Sequence, residues 1–340
     1  MCRKRSKIDN TMPSNVMLLG GVYLRPIGIE IEAATWNGIP AMDGHNYRLG
    51  NSDGKFIHDG SVTSGLEWAS KPLLPKQFDR GQKLISTLVD SLLAISDDLQ
   101  ANGVMFDATC GYHVHVDARD WSYWEVAKVW ANFIQVQHWV YLLCHPDREA
   151  LNARRNRYYC NRYELGLAKV LRKLLRAGNS AVKQWMTQQL FLTTSEVIAD
   201  TVRRQKREAA VARYNATARP TNNPGFTAKD LMAHKSFKYH NNRYYGFNIM
   251  PWHLQGTVEF RMQGHPLNSE DIVMWPLFVC NLTHRLLNGP VLTKEPATFE
   301  EFLAWLELPD VLKSYAQQKY EQFRQLRINT TVVPNYERLV

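Results

Sequence analysis

Two imidazoles at alternate positions of one short segment, Cys110-Gly111-Tyr112-His113-Val114-His115-Val116-Asp117, are the first residues whose types and spacing could do chemistry. A β-strand sends successive side chains to opposite faces, so His113, His115 and Asp117 would share one face and Tyr112, Val114 and Val116 the other. Imidazole and carboxylate in a row suit a metal ion or a phosphate. They equally suit a half-buried, hydrogen-bonded pair, and the motif alone leaves both readings open. Three further segments carry the same kind of face. Ile27-Gly28-Ile29-Glu30-Ile31-Glu32 alternates isoleucine with two carboxylates. Leu66-Glu67-Trp68-Ala69-Ser70 adds Glu67, shortly after an Asp59-Gly60 turn. Gly256-Thr257-Val258-Glu259-Phe260-Arg261-Met262 puts Thr257, Glu259 and Arg261 on one side. A single strand of this kind is ordinary on a solvated sheet. Four that use Glu, His and Arg and avoid Lys point to one concave acidic site with cationic helpers, and clustered carboxylates suit hard cations such as Mg²⁺.

These strands need elements to hold them. Apolar positions between Gln77 and Asn102 (Phe78, Leu84, Leu88, Val89, Leu92, Leu93, Ile95, Leu99) predict an amphipathic helix covering the apolar face of a sheet, and Trp121 to Leu143 predicts a second. Thr35 to Lys55, rich in Gly, Asn and Asp and without a period, reads as a loop over the site. Helices are expected over 162–176, 182–191 and 194–215, broken at Gly178-Asn179 and again by Pro220 to Gly225. Asn242 to His253 and Gly256 to Met262 read as two strands joined by a turn, and Ser269 to Leu286, Phe299 to Trp305 and Leu312 to Leu326 as closing helices.

The chain has 340 residues, 45% hydrophobic and 21% charged, which excludes disorder as the dominant state and suits an enzyme-sized packed body. Five cysteines without a Cys-x-x-Cys pair suit a reduced, cytoplasmic protein better than a disulfide framework. No window offers the uninterrupted apolar run of about 18 residues that a membrane-spanning helix requires. The net charge of +9 is concentrated: between Arg148 and Arg219 there are 16 Lys or Arg against 5 Asp or Glu. Such a region suits an anionic partner, or simply a solvated helical face.

Taken together, Gly28-Ile-Glu30-Ile-Glu32, Asp59-Gly-Ser61 with Glu67-Trp-Ala-Ser70-Lys-Pro72, Cys110-Gly111-Tyr-His113-Val-His115-Val, and Asn248 with Gly256-Thr-Val-Glu259-Phe-Arg261 resemble the amidoligase family. That family belongs to the carboxylate–amine ligases, with glutamine synthetase and glutamate–cysteine ligase. The resemblance implies an α+β fold with a glutamine-synthetase-like, curved, mostly antiparallel sheet, helices on its apolar face and a basic helical insertion. It implies ATP and Mg²⁺ over the polar face, Glu30, Glu32, Glu67, His115 and Glu259 as metal ligands, and Arg261 steadying the transferred phosphoryl group. His113 and Asn248, with Arg154 and Arg155 from the basic region, are expected at the nucleotide, and Asp59 as the proton acceptor. We therefore expect a flexible basic tail over 1–20 and a single catalytic domain over 21–340, with the basic region at about 148–225 and C-terminal helices at about 268–326. The expected substrates are a carboxylate and an amine, of the amino-acid or peptide kind, or an anionic, nucleic-acid-linked acceptor held by the basic region. Two alternatives stand beside ligation: a zinc hydrolase using His113 and His115, and a nucleic-acid-binding protein using the basic region.

Overall fold

The computed structural model describes residues 22–34, 46–49, 52–58, 66–75, 77–79, 84–106, 110–146, 160, 162–191, 245–254 and 256–329. Within them the architecture is α+β, with one seven-stranded antiparallel sheet and eight helices. The strands are β1 (Ile27–Ala33), β2 (Asn46–Leu49), β3 (Ser52–His58), β4 (Leu66–Ser70), β7 (Tyr112–Asp117), β8 (Phe247–Asn248) and β9 (Thr257–Phe260). They stand in the order β2-β3-β4-β1-β7-β9-β8, so the sheet is open, with β2 and β8 at its edges. A separate two-stranded ribbon pairs β5 (Gln77–Asp79) with β6 (Leu84–Ser86).

One sheet face is apolar because alternate residues of each strand are: Ile27, Ile29 and Ile31, then Tyr112, Val114 and Val116, then Val258 and Phe260 are all buried. Helices cover it. These are α1 (Thr87–Ala101), α2 (Tyr123–Leu142) and α6 (Ser269–Asn288), where α3 is Leu165–Ala177, α4 Asn179–Phe191 and α5 Met250–Leu254. Phe133 of α2 meets the rings of Phe247 and Phe260, and the Tyr112 hydroxyl donates to the Ile272 carbonyl of α6 at 2.8 Å. Helix α2 begins at a capping box: the Ser122 hydroxyl accepts from the Glu125 N–H, and the Glu125 carboxylate accepts from the Ser122 N–H. Helices α3 and α4 pack on α2, and two further helices, α7 (Phe299–Leu306) and α8 (Asp310–Asn329), complete the helical layer. Among the described residues no helix is long and apolar enough to cross a membrane.

Three expectations change. Within the expected loop over 35–55, residues 46–49 and 52–55 belong to strands β2 and β3; β3 pairs with β4, and Gly54 lies under the Trp68 indole, where a Cβ would approach ring atoms to 2.2 Å. The first helix starts at Thr87 rather than Gln77, and Phe78 stands opposite Ile85 in the β5–β6 ribbon. The strands β8 and β9 do pair, but the short helix α5 joins them in place of a turn. The expected tail, the end of the basic region and the helix over 194–215 lie outside the described residues.

Candidate functional site

The antiparallel register brings polar residues of five strands onto the face opposite the helices. Glu30 stands across from His113, Glu32 from Glu67, Gly28 from His115, and His115 from Glu259, with Asn248 beyond Glu259 on the edge strand. Alternation within each strand and pairing between strands both have period two, so a face legible along each chain segment becomes one continuous patch.

Glu30 is at its centre. Its Oε2 lies 3.1 Å from His113 Nδ1, and its Oε1 lies 3.1 Å from His115 Nε2. His113 Nε2 is also 3.6 Å from Glu32 Oε1, and its Nδ1 is 3.6 Å from Glu259 Oε1. His115 Nε2 is 3.8 Å from Glu259 Oε1, while its Nδ1 lies 3.1 Å from the Thr257 hydroxyl. Asn248 Nδ2 donates to Glu259 Oε2 at 2.7 Å. The Arg261 guanidinium reaches Glu259 Oε1 at 3.4 Å, while the residue's backbone N–H donates to the Gly246 carbonyl and its backbone carbonyl accepts from the Cys160 thiol. Arg261 Nε is buried and finds no hydrogen-bond acceptor among the described residues.

Charge is balanced locally. Burial would push the Glu30 carboxyl upward, but the neighbouring charge of His115 and hydrogen bonds from both imidazoles hold it well below its ordinary range. Burial would lower His115, yet Glu30 and then Glu259 raise it above its usual value. Arg261 behaves likewise: burial opposes its charge, and Glu259, followed by the Cys160 thiol, Glu30 and Glu32, keeps it firmly cationic.

Two trios of ligand atoms lie within 4.8 Å of one another: Glu30, His115 and Glu259, and Glu30, Glu67 and His113. Donors about 2.1 Å from a Mg²⁺ ion stand about 3.0 Å apart when adjacent and about 4.2 Å when opposite. The span is thus compatible with a small divalent cation after slight contraction, and the donor set is rich in oxygen.

The sequence-derived candidates divide as follows. Glu30, Glu32, Glu67, His113, His115, Asn248, Glu259 and Arg261 come together on one face. Asp117 does not join them, because Arg119 holds its carboxylate with contacts of 2.7 and 3.0 Å. Asp59, Arg154 and Arg155 lie outside the described residues. Thr257 gains a role that the sequence left unassigned; its place on the face of Glu259 was visible, its partner was not. Asn248, expected at the nucleotide, donates from Nδ2 to Glu259 and accepts at Oδ1 from the Met250 N–H.

No curated protein matches the chain. The profile of a family described as "putative amidoligase enzyme" matches residues 85–283, a span that contains His113, His115, Asn248, Glu259 and Arg261. The strands with Glu30, Glu32 and Glu67 precede that span and join it through the sheet. Since the match covers more than half of its length, the chain belongs to this amidoligase family, whose membership points to an enzyme forming amide bonds between carboxylates and amines.

Proposed function

We propose that the protein is an ATP- and Mg²⁺-dependent carboxylate–amine ligase that works through an acyl phosphate on a glutamine-synthetase-like sheet. The observation that carries this reading is the union of Glu30, His115 and Glu259 within one ligand-sized cluster, with the Arg261 guanidinium at its border. Bound Mg²⁺ would supply neutralisation of the charge on the nucleotide's β- and γ-phosphates. Glu30 and Glu259, with Glu32 and Glu67 beside them, would hold the cation, and His115 would complete the set through Nε2.

The remaining work falls to this chain's side chains. Arg261 is held charged and has a donor at Nε still available to an oxyanion, which suits the equatorial oxygens of a phosphoryl group in transit. The substrate carboxylate attacks the γ-phosphorus and ADP leaves; the amine then attacks the acyl carbon and phosphate leaves. A group on the same face must take the proton the amine loses, and Asp59 was the sequence candidate for it. The basic region, with Arg154 and Arg155 toward the nucleotide, remains a candidate platform for an anionic acceptor.

A zinc hydrolase is the second reading, and the two buried imidazoles favour it. Against it, each trio contains one imidazole and two carboxylates, so the described residues offer no two-histidine set at either point. The test is a screen for Mg²⁺-dependent ADP release across carboxylates and amines. Glu259→Gln and Arg261→Ala should each abolish release while leaving circular dichroism unchanged. Wild-type rates in either variant, or stoichiometric zinc with hydrolysis and no ATP dependence, would sink the assignment.

A further inference from the structure

The side chain of Asn248 is tied both to Glu259 and to the main chain of α5. It is 3% exposed and sits on β8, directly across from Glu259 in the sheet. Its Oδ1 accepts from the Met250 N–H at 3.0 Å, two residues on, at the start of α5. Its Nδ2 donates to Glu259 Oε2 at 2.7 Å. The amide cannot be turned over: a backbone N–H on one side demands an acceptor, and a carboxylate on the other demands a donor. Its orientation is therefore fixed by main chain, and through it one oxygen of Glu259 is fixed as well. The other oxygen, Oε1, is left facing His113, His115 and Arg261 at 3.6, 3.8 and 3.4 Å.

We propose that Asn248 is a positioning residue that pins Glu259 Oε2 and so presents Oε1 to the cation. This rests on the divalent-cation reading of the site. A carboxylate free to rotate at this point would divide its time between several donors, and partners of this type, one step removed from a metal, typically change affinity about 10–100-fold when lost.

The turn and the Glu259 contact can be separated by substitution. Asn248→Ser keeps a short oxygen able to accept from the Met250 N–H, as serine does at turns, but cannot span to Glu259. Asn248→Asp keeps the full length and the acceptor, and removes the donor. The experiment measures Mn²⁺ affinity by calorimetry, the electron paramagnetic resonance spectrum of bound Mn²⁺, and the unfolding midpoint of the metal-free protein. Asn248→Ser is expected to bind about 10–100-fold more weakly, with an altered spectrum and a nearly unchanged midpoint. Wild-type affinity and spectrum in Asn248→Ser would overturn the inference and leave the cation reading standing. Absence of Mn²⁺ binding by the wild-type protein would overturn the cation reading and the inference together. Should Asn248→Ser fail to fold, Asn248→Asp decides: wild-type affinity there overturns the proposal, and failure of both to fold makes Asn248 a residue of the fold alone.

Discussion

Glu30 and His115 illustrate how a cluster of carboxylates survives burial: each holds the other's charge. Glu30 titrates below 4.5, so its contribution to stability is present above that value and is lost as pH falls through its depressed folded pKa. His115 titrates above 6.5, so its contribution is present below that value and is lost as pH rises through its raised folded pKa. The metal-free pair is therefore strongest between the two. A cation at His115 Nε2 must displace a proton, so Mn²⁺ affinity should rise with pH through the raised pKa of His115, with proton release. Calorimetry in two buffers of different ionisation enthalpy, across pH 5.5–8, measures that release. A pH-independent affinity with no proton uptake by the buffer would show that His115 does not contact the ion. The residue types of this site were legible in the sequence because strand parity exposes them one segment at a time. The partners of Asn248 and Thr257 were not legible, because they are supplied by other positions in the sheet and by the main chain of α5.

At the scale of elements, the buried strands β1, β7 and β9 were readable from alternation, and the capped helix α2 from its apolar period. The hairpin β2–β3 was not. Its sequence is rich in Gly, Asp and Asn, and it is held by pairing with β4, by the buried Leu49 and Phe56, and by one close contact. That contact is the Trp68 indole over Gly54. Gly54→Val would place a Cβ at 2.2 Å from the ring, and since the indole is wholly buried it cannot swing aside. We expect a loss of about 1–3 kcal/mol, in the range for overpacked sites, measured by urea denaturation. Unchanged stability would mean that β3 does not lie against Trp68. The start of α1 was overextended for a related reason: Phe78 and Leu84 are apolar, but they precede the run that begins at Leu88 and belong to the β5–β6 ribbon. Apolar content alone does not distinguish short strands from a helical turn.

Across the whole molecule, the sheet order and the position of the C-terminal helices were beyond sequence reading, because both are set by contacts between distant residues. The described part of the basic region combines an exposed cationic face with a packed apolar one. Lys169, Lys173 and Arg176 are exposed on α3, whose Ala168, Leu171 and Leu175 are buried, and α3 packs on α2, the helix whose Phe133 meets the apolar face of the sheet. Arg203, Arg204 and Arg207, further along the basic region, lie outside the described residues. The C-terminal helix α8, in contrast, is tied into the core by charge. Lys319 Nζ lies 2.6 Å from Asp271 Oδ1, with side-chain exposures of 1% and 0%. Asp271 also accepts from the Tyr315 hydroxyl and the Leu267 N–H, and Arg327 donates to the carbonyls of Tyr141, Leu142 and Cys144 at the end of α2. Asp271 opens α6, the helix that receives the Tyr112 hydroxyl from β7, so this latch supports the strand that carries His113 and His115. Removing Lys319 alone leaves a buried carboxylate without its cation, which typically costs about 3–5 kcal/mol. Lys319→Met should therefore destabilise the protein by that amount in urea. Asp271→Asn/Lys319→Met, which removes both charges and keeps an acceptor for the Leu267 N–H, should recover part of the loss. If the double variant is as unstable as the sum of the two single ones, the pair is not coupled, and α8 is held by its apolar contacts and Arg327 instead.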